Sequence, residues 1–287
     1  MHQRKGNWSV QPTEAITRRP AGKQARGLFK GIRKDMQKKI HQTSGQRVSE
    51  AAHPFRGVEE LESCGLEAGF GDRVLRPPTD ARVYQVRQVH GARICAVEDI
   101  APAASDQAGG ISELEADGIV ITGLRASAPT LTVAAIRTAD CVPVLIAAAP
   151  DDGPRNFAAA VHAGWRGTVA AIAERAVERA RSFGIEPGLL HARLGPSIGP
   201  CCYEVGEEVA DRFEQLGLPV RRSPENVKLD LREANRLLLQ RAGVRPDRIL
   251  DSGPCTRCHS DRYFSYRAEP GVDGRQLSWV GWAARAR

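Results

Sequence analysis

The sequence lacks any apolar run that approaches the ~20 residues needed to cross a bilayer, so no transmembrane helix is predicted. Its N-terminus has no apolar segment behind Arg4-Lys5, which argues against a secretory signal and makes the cytoplasm the expected compartment. Histidine is scarce, with seven residues in 287. Two of them, His2 and His41, lie in the N-terminal stretch, so the rest of the chain offers few imidazoles for metal binding.

The basic charge of the chain is confined to its N-terminal part. Residues 1–50 hold 12 of the 41 Lys and Arg residues but only 3 of the 34 Asp and Glu residues, which leaves 29 against 31 in the rest. We therefore expect no nucleic-acid partner for residues 51–287, which we predict to form a single domain. The polar composition of residues 1–50 favours a disordered extension, with an amphipathic basic helix over 28–42 as the alternative. Translation starting at Met36 is a further alternative.

Seven cysteines, an odd number, indicate free or metal-bound thiols in a reducing compartment. The neighbours Cys201 and Cys202 are interpreted as part of a structural loop, because adjacent cysteines rarely bridge without strain. The segment 254–259, Pro-Cys-Thr-Arg-Cys-His, contains the C-x-x-C-H spacing of haem attachment and half of a zinc deaminase signature. Haem attachment requires export, and no histidine is followed two positions later by Glu. Both interpretations are therefore disfavoured.

Hydrophobic periodicity predicts three helices and several strands. An apolar stripe predicts a helix over 168–183, with Thr168 as its cap, and similar patterns predict helices over 204–216 and from Asp230 to about 241. Because strands and helices alternate irregularly, we predict an α+β domain of layered sheets flanked by helices. The predicted strands cover 84–89, 94–97, 117–122 and 131–136.

Two further apolar runs are separated by the turn-forming cluster 151–154, Asp-Asp-Gly-Pro. The midpoint between Cys141 and His162 falls inside this cluster. If the runs form an antiparallel hairpin, these two residues are directly opposite each other, with Cβ atoms roughly 5 Å apart. One metal ion could then bind both side chains. The alternative is a core cysteine and a histidine that caps a loop.

Several segments in the same order resemble signatures of the YfiH-like laccase-domain family, whose members are regarded as purine nucleoside phosphorylases. The resemblance covers about residues 69 to 280, with a short connection over 74–87 where many members have a longer segment. The segments are GFGDR at 69–73, QVHG at 88–91, EADG at 115–118, TADC at 138–141, AVHAGWRG at 160–167, GPSIGPCCYEV at 195–205 and DRYFSYR at 261–267.

The resemblance implies one zinc ion bound by His90, Cys141 and His162, which would also be catalytic residues. Two imidazoles and a thiolate suit zinc and leave a fourth position open for water or substrate. The implied reaction is phosphorolysis of adenosine, inosine, guanosine or methylthioadenosine to the base and ribose 1-phosphate, together with adenosine deamination. Purine nucleosides and phosphate are therefore the expected partners.

Other residues are candidates for supporting roles. Arg166, just before the predicted helix at 168, could bind phosphate, as could Arg73; the alternative for Arg166 is a surface salt bridge. Trp165 could stack on a purine or simply pack. Asp140 and Asp117 could each orient an imidazole or act as a general acid or base, with a cap or turn role as the alternative. The resemblance makes Cys255 a pocket-lining residue and Cys258 incidental.

Three other functions remain open. A hydrolase could use Cys141 as nucleophile and His162 as base, because an imidazole activates a neighbouring thiol. The older family label, polyphenol oxidase, implies copper, but a multicopper centre typically needs roughly ten histidine ligands, more than this chain contains. A binding role of the basic N-terminal stretch is the third.

Overall fold

The computed structural model describes residues 53–100, 110–122, 130–149 and 156–283. The predicted extension, its helix over 28–42 and the turn cluster 151–154 lie outside these ranges. The α-helices are α1 (Glu59–Ser63), α2 (Trp165–Val169), α3 (Ile172–Ser182), α4 (Glu207–Gln215) and α5 (Leu231–Arg241). The strands are β1 (Leu66–Phe70), β2 (Arg82–Arg87), β3 (Ile94–Ala96), β4 (Ile111–Glu115), β5 (Gly118–Thr122), β6 (Thr132–Thr138), β7 (Val142–Ala148), β8 (Phe157–Ala163), β9 (His191–Leu194), β10 (Glu204–Val205), β11 (Val220–Arg222), β12 (Val227–Leu229), β13 (Ile249–Asp251) and β14 (Gln276–Trp282).

A six-stranded mixed sheet, in the order β13-β9-β7-β8-β5-β3, forms the centre of the fold. Every residue of β7 and β8 is buried, because both faces of this sheet are covered. Along β7, Val144 and Ile146 pack in one cluster with α3 and α5, whereas Leu145 and Ala147 pack in another with the second sheet. A strand buried on both faces appears in the sequence as a continuous apolar run, as observed here.

The second sheet has five strands in the order β1-β14-β6-β2-β4, and a small sheet has the order β10-β12-β11. Trp282 and Ile136 of the second sheet pack in the cluster that it shares with the central one. The layers are therefore helices, central sheet and second sheet. The predicted α+β class with layered sheets is confirmed.

Two predicted helices are wrong in their bounds. The helix over 168–183 is divided, because Ala171 has the left-handed backbone conformation (φ 58°) between α2 and α3. The Thr168 hydroxyl lies inside α2 and donates to the Gly164 carbonyl, so it does not cap a helix. The helix predicted from 204 begins at Glu207, because Glu204 and Val205 pair with β12.

The third predicted helix is confirmed as α5. The Asp230 side chain accepts a hydrogen bond from the backbone N–H of Glu233 at 3.1 Å, the usual geometry of an N-terminal cap. Across the described ranges, no helix is both long and apolar enough to cross a membrane.

The residues just before α1 pack into the domain, although they precede the segments that resemble the family. Phe55 is completely buried in the cluster between the two sheets. The Arg193 guanidinium lies over the Phe55 ring at 4.9 Å and donates to the Pro54 carbonyl at 2.7 Å. The backbone N–H of Ala68, in β1, donates to the His53 ring. The packed domain therefore includes residues from His53 onward.

Candidate metal centre and anion cavity

The hairpin of β7 and β8 brings Cys141 and His162 together, but not in the predicted register. His162 pairs with Pro143, and Val142 pairs with Ala163, so Cys141 stands opposite Gly164. The predicted direct pairing is therefore wrong by two residues. Side chains alternate with a period of two, so a shift of two residues keeps Cys141 and His162 on the same face as diagonal neighbours.

Gly164 makes room for the thiol. A Cβ atom at this position would lie 2.9 Å from Cys141 Sγ and 3.6 Å from His90 Cδ2. The backbone of Gly164 is extended (φ −76°, ψ 175°), a conformation that any residue can adopt. The need for glycine at 164 is therefore steric.

The buried carboxylate of Asp117 positions both histidines. It accepts backbone N–H bonds from His90 at 2.9 Å and Gly91 at 2.6 Å, and it contacts His162 Nδ1 at 2.8 Å. These bonds hold the loop at His90 in a left-handed conformation (φ 59°) that is uncommon outside glycine. Because an ionised carboxylate only accepts, Nδ1 of His162 carries a proton, so Nε2 is the ring nitrogen that a metal ion would bind in place of a proton.

Gln88 fastens the same loop to the strand that leads to Cys141. Its side-chain amide donates to the Arg137 carbonyl and accepts from the Arg137 N–H, both at 2.8 Å. The loop of His90 is thus fixed to β6 by two bonds in addition to those from Asp117.

The side chains of His90, Cys141 and His162 form a group that could hold a metal ion. Their donor atoms all lie within 4.8 Å of one another, and the two imidazole rings are edge to face with centroids 4.8 Å apart. Bonds of ~2.0–2.3 Å to a tetrahedral zinc ion place its donors roughly 3.5 Å apart, so the widest separation possible here would have to close by about 1.3 Å. The chemistry and spacing of the donors therefore fit a zinc ion.

Electrostatics at this group favour the charged forms of the thiol and the imidazole. Burial would raise the pKa of Cys141, but the charge of His162 and hydrogen bonds from both histidines outweigh it and lower the pKa to about 6. Burial would lower the pKa of His162, whereas the Cys141 thiolate and Asp117 raise it to about 9. For Asp117, burial opposes ionisation, but hydrogen bonds from His162 and Gly91 lower its pKa.

The group lies in a cavity of about 510 Å³. Four arginines line it, against one carboxylate, that of Asp140, so an anion is the expected occupant. Arg166 is exposed, and its guanidinium lies over the ring of half-buried Trp165 at 4.7 Å. The lining residues are Gln88, His90, Arg137, Thr138, Ala139, Asp140, Cys141, His162, Trp165, Arg166, Tyr203, Tyr266, Arg267 and Arg275.

Arg137 is half-buried at the wall of this cavity. Burial and the charge of Arg275 lower its pKa, and its Nε is a buried atom without a hydrogen-bond partner. Two guanidinium groups that repel each other at the wall of a cavity favour an anion between or beside them.

Asp140 holds two loops together. Thr256 Oγ1 donates to Asp140 Oδ1 at 2.7 Å, and the backbone N–H of Arg267 donates to Oδ2 at 2.8 Å. Both carboxylate oxygens therefore have partners within the protein, and no imidazole is among the hydrogen-bond partners found for them in the described residues. The structure thus supports a positioning role for Asp140 next to Cys141.

Two predicted binding residues lie away from the cavity lining. The Arg73 guanidinium stacks on Phe264 at 4.5 Å, pairs with Glu269 and donates to the Ser260 carbonyl. Cys255 is buried beside the Gly199 N–H, which donates to its sulfur at 3.2 Å. Neither residue is brought to the metal-binding group.

Several residues of the cavity are not among those predicted from the sequence. Gln88 and Arg267 belong to segments that resemble the family, and Arg137 directly precedes another, so proximity to those segments was a usable signal. Arg275 carried no such signal, because β14 brings it to the cavity from the far end of the chain.

The chain belongs to the family described as "Multi-copper polyphenol oxidoreductase laccase", whose model matches residues 73–283. Purine nucleoside phosphorylase YlmD of Geobacillus stearothermophilus is 38% identical over 202 residues, which cover 68% of this chain and 70% of that protein. Adenosine deaminase RL5, from an unknown prokaryotic organism, is 36% identical over 68% of this chain and 72% of its own length.

Solved structures show the same fold. The crystal structure of YlmD from Geobacillus stearothermophilus matches with a TM-score of 0.65 and 29% identity, over 84% of this chain and 99% of that one. The crystal structure of Bacillus licheniformis hypothetical protein YfiH matches with a TM-score of 0.63 and 27% identity, over 78% and 95% of the two chains.

Proposed function

We propose that this chain is a zinc-containing purine nucleoside phosphorylase, which converts adenosine, inosine, guanosine or methylthioadenosine and phosphate to the base and a ribose 1-phosphate (or its methylthio derivative). The observation that carries the proposal is a cavity in which a His-Cys-His donor group and four arginines meet. The names of the relatives, purine nucleoside phosphorylase and adenosine deaminase, support the same substrate class.

His90, Cys141 and His162 would hold the zinc ion. When bound, the ion supplies positive charge and an open coordination position beside the substrate. Asp117 keeps the proton of His162 on Nδ1 and fixes the loop of His90, so both imidazoles are oriented before the metal arrives.

Arginine side chains would bind the second substrate. Cleavage of an N-glycosidic bond passes through a transition state with positive charge on the sugar, which an anionic nucleophile next to the anomeric carbon stabilises. Arg166, which is exposed at the cavity, and Arg137 and Arg275, which repel each other there, provide guanidinium groups that suit a phosphate dianion. These guanidinium groups would hold the phosphate in place and offset its negative charge.

Aromatic side chains would bind the purine. Trp165, Tyr203 and Tyr266 line the cavity, and half of the Tyr266 surface is exposed, which leaves a ring face free for stacking. Arg267 packs over Tyr203 at 5.1 Å and so limits the movement of that ring.

Two other activities can be tested in the same assay. Adenosine deamination is suggested by the name of one relative. A hydrolase that uses Cys141 as nucleophile is favoured by the position of this thiol beside the His162 imidazole, with donor atoms within 4.8 Å of each other.

Metal removal separates the phosphorylase from the hydrolase. We expect purified protein to contain zinc at His90, Cys141 and His162, to lose turnover after chelation, and to regain it when zinc is returned. Zinc should also protect Cys141 from a thiol reagent. Turnover that survives chelation, needs no phosphate and is abolished by labelling of Cys141 would instead support the hydrolase and overturn the proposal.

A further inference from the structure

Four cysteines from two loops meet outside the cavity lining. Cys201 and Cys202 precede β10, and Cys255 and Cys258 follow β13. Their sulfur atoms all lie within 4.8 Å of one another, with Cys202 Sγ and Cys201 Sγ at 3.4 and 3.6 Å from Cys258 Sγ. Within the described ranges, they form the second of the two His, Cys, Asp or Glu groups that could hold a metal ion.

We propose that Cys201, Cys202, Cys255 and Cys258 bind one zinc ion as four thiolates, at a structural site distinct from that of His90, Cys141 and His162. In a tetrahedral site with Zn–S bonds of ~2.3 Å, the sulfur atoms stand roughly 3.8 Å apart. The distances from Cys258 Sγ to Cys201 Sγ and Cys202 Sγ lie within a few tenths of an ångström of that value, and no pair of the four sulfur atoms exceeds it by more than about 1 Å. A set of four protein ligands leaves no position for substrate, which is the pattern of structural zinc.

The same distances argue against two other states of the thiols. A disulfide requires the sulfur atoms at ~2.0 Å, well below the 3.4 Å of the pair Cys202 and Cys258. An iron–sulfur cluster distributes its cysteine ligands over several iron atoms and therefore needs them further apart than a single ion does. A single thiophilic ion fits the spacing best.

The backbone holds the two loops in place for the ion. Ser197 and Cys255 form a parallel β-bridge, and the N–H of Thr256 donates to the Ser197 carbonyl at 3.0 Å. The Gly199 N–H points at Cys255 Sγ at 3.2 Å, a bond that stabilises a metal-bound thiolate. At least one ligand therefore already has its supporting contact.

Cationic side chains next to the group suit its charge when loaded. Binding of Zn²⁺ to four thiols releases four protons and leaves a net charge of −2. Lys228 Nζ donates to the Cys201 carbonyl at 3.2 Å, and Arg257 contacts the Cys202 carbonyl at 3.5 Å. Both cations stand where they offset the excess negative charge.

The site would fasten a wall of the cavity. Thr256, between two of the ligands, donates to Asp140, and Asp140 directly precedes Cys141. The Ile198 N–H also donates to the Asp140 carbonyl at 2.9 Å. An ion that joins the loops at 201–202 and 255–258 therefore restrains the backbone that positions Cys141.

The test is the metal content of the full chain, purified with a reductant, dialysed against trace zinc and measured by elemental analysis. We expect Cys258→Ser and Cys202→Ser each to hold about one zinc per chain less than the parent protein, because a site rarely survives loss of one of four donors. Cys64→Ala removes a buried thiol elsewhere and should leave the metal content unchanged. Circular dichroism checks that each variant is folded.

Cobalt provides a second readout. Co²⁺ exchanged into a Cys141→Ala protein should show the intense thiolate-to-metal absorption of four sulfur ligands, and adding Cys258→Ser should abolish it. Cys258→Ser leaves His90, Cys141 and His162 in place, so the zinc that it loses relative to the parent protein reports on the four cysteines alone. Failure of the four-cysteine site is therefore distinguishable from failure of the proposed function. The four-cysteine site would be overturned by equal metal contents in the folded parent and variants, or by a disulfide among the four cysteines in protein kept under reductant.

Discussion

At the residue scale, one carboxylate determines the geometry of two metal-binding side chains. Asp117 is completely buried and contacts the backbone at His90 and the ring of His162. An amide has the same shape but replaces one accepting oxygen with a donating nitrogen. The arrangement of both histidines therefore depends on the charge of this residue as well as its size.

Asp117→Asn should weaken metal binding roughly 10- to 100-fold, because the support of both histidines is impaired. The measurement is competition for zinc against a coloured chelator. Asp99→Asn is the matched control, since the Asp99 carboxylate also accepts a backbone N–H, that of Ala96, but is not part of the cavity lining. Equal zinc affinity of the Asp117 variant and this control would contradict the positioning role.

Arg166→Ala should retain zinc and raise the KM for phosphate about tenfold or more, because a charge-assisted contact of ~1.5–3 kcal/mol is removed. Initial rates at varied phosphate and saturating nucleoside provide the measurement. Arg212→Ala, at an exposed arginine of α4, controls for the loss of one positive charge. An unchanged KM for phosphate in the Arg166 variant would show that other arginines bind this substrate.

At the scale of elements, the hairpin of β7 and β8 can hold the Cys141 thiol near His162 because a glycine, Gly164, directly follows β8. Gly164→Ala should displace Cys141 Sγ and cost about 1–3 kcal/mol of stability, with loss of bound zinc, since a Cβ would lie 2.9 Å from the sulfur. Thermal unfolding and metal content measure the two effects.

Gly188→Ala is the control for that substitution. Gly188 has no atom within 4 Å of an added Cβ and no positive φ, so the change should leave both quantities nearly unaltered. Retention of zinc by the Gly164 variant would mean that the thiol can move without losing the ion.

The same hairpin shows how far the sequence determines the elements. Strands β5 to β8 were predictable because burial on both faces leaves continuous apolar runs, but the pairing of β7 with β8 was predicted two residues off. A turn cluster marks where a chain reverses and does not fix which residues pair. The break at Ala171 could not be predicted either, since alanine favours a continuous helix and only tertiary packing imposes its left-handed conformation.

The cavity was predictable only in part, because tertiary structure brings together residues that are far apart in the sequence. His90, Cys141 and His162 lie in recognisable segments, whereas the sheet and loops bring Arg137 and Arg275 together from distant parts of the chain. Cys258 appeared incidental in the sequence, because its neighbours in space, Cys201 and Cys202, are more than fifty residues away.

At the scale of the whole molecule, the boundary of the folded domain is testable. A chain that begins at residue 52 should fold and keep full activity, because the sequence predicts that residues 1–50, which lie outside the described ranges, contribute nothing to the packed core. A chain that begins at residue 57 lacks Phe55, which is completely buried, and should lose about 3–5 kcal/mol. The same truncation removes the Pro54 carbonyl, which accepts a hydrogen bond from the guanidinium of buried Arg193. Chemical denaturation measures the free energy of unfolding of the two shortened chains. Loss of cooperative unfolding in the chain that begins at residue 52 would show that residues before 52 belong to the domain.

The most direct test of the proposed function is the product balance of adenosine turnover by the zinc-loaded full chain. Adenosine is incubated with and without phosphate, and adenine, inosine and ribose 1-phosphate are quantified. We predict that adenine appears only with phosphate, that about one ribose 1-phosphate forms per adenine, and that His162→Ala abolishes both. Adenine release at the same rate without phosphate, or no adenine release under either condition, would contradict it.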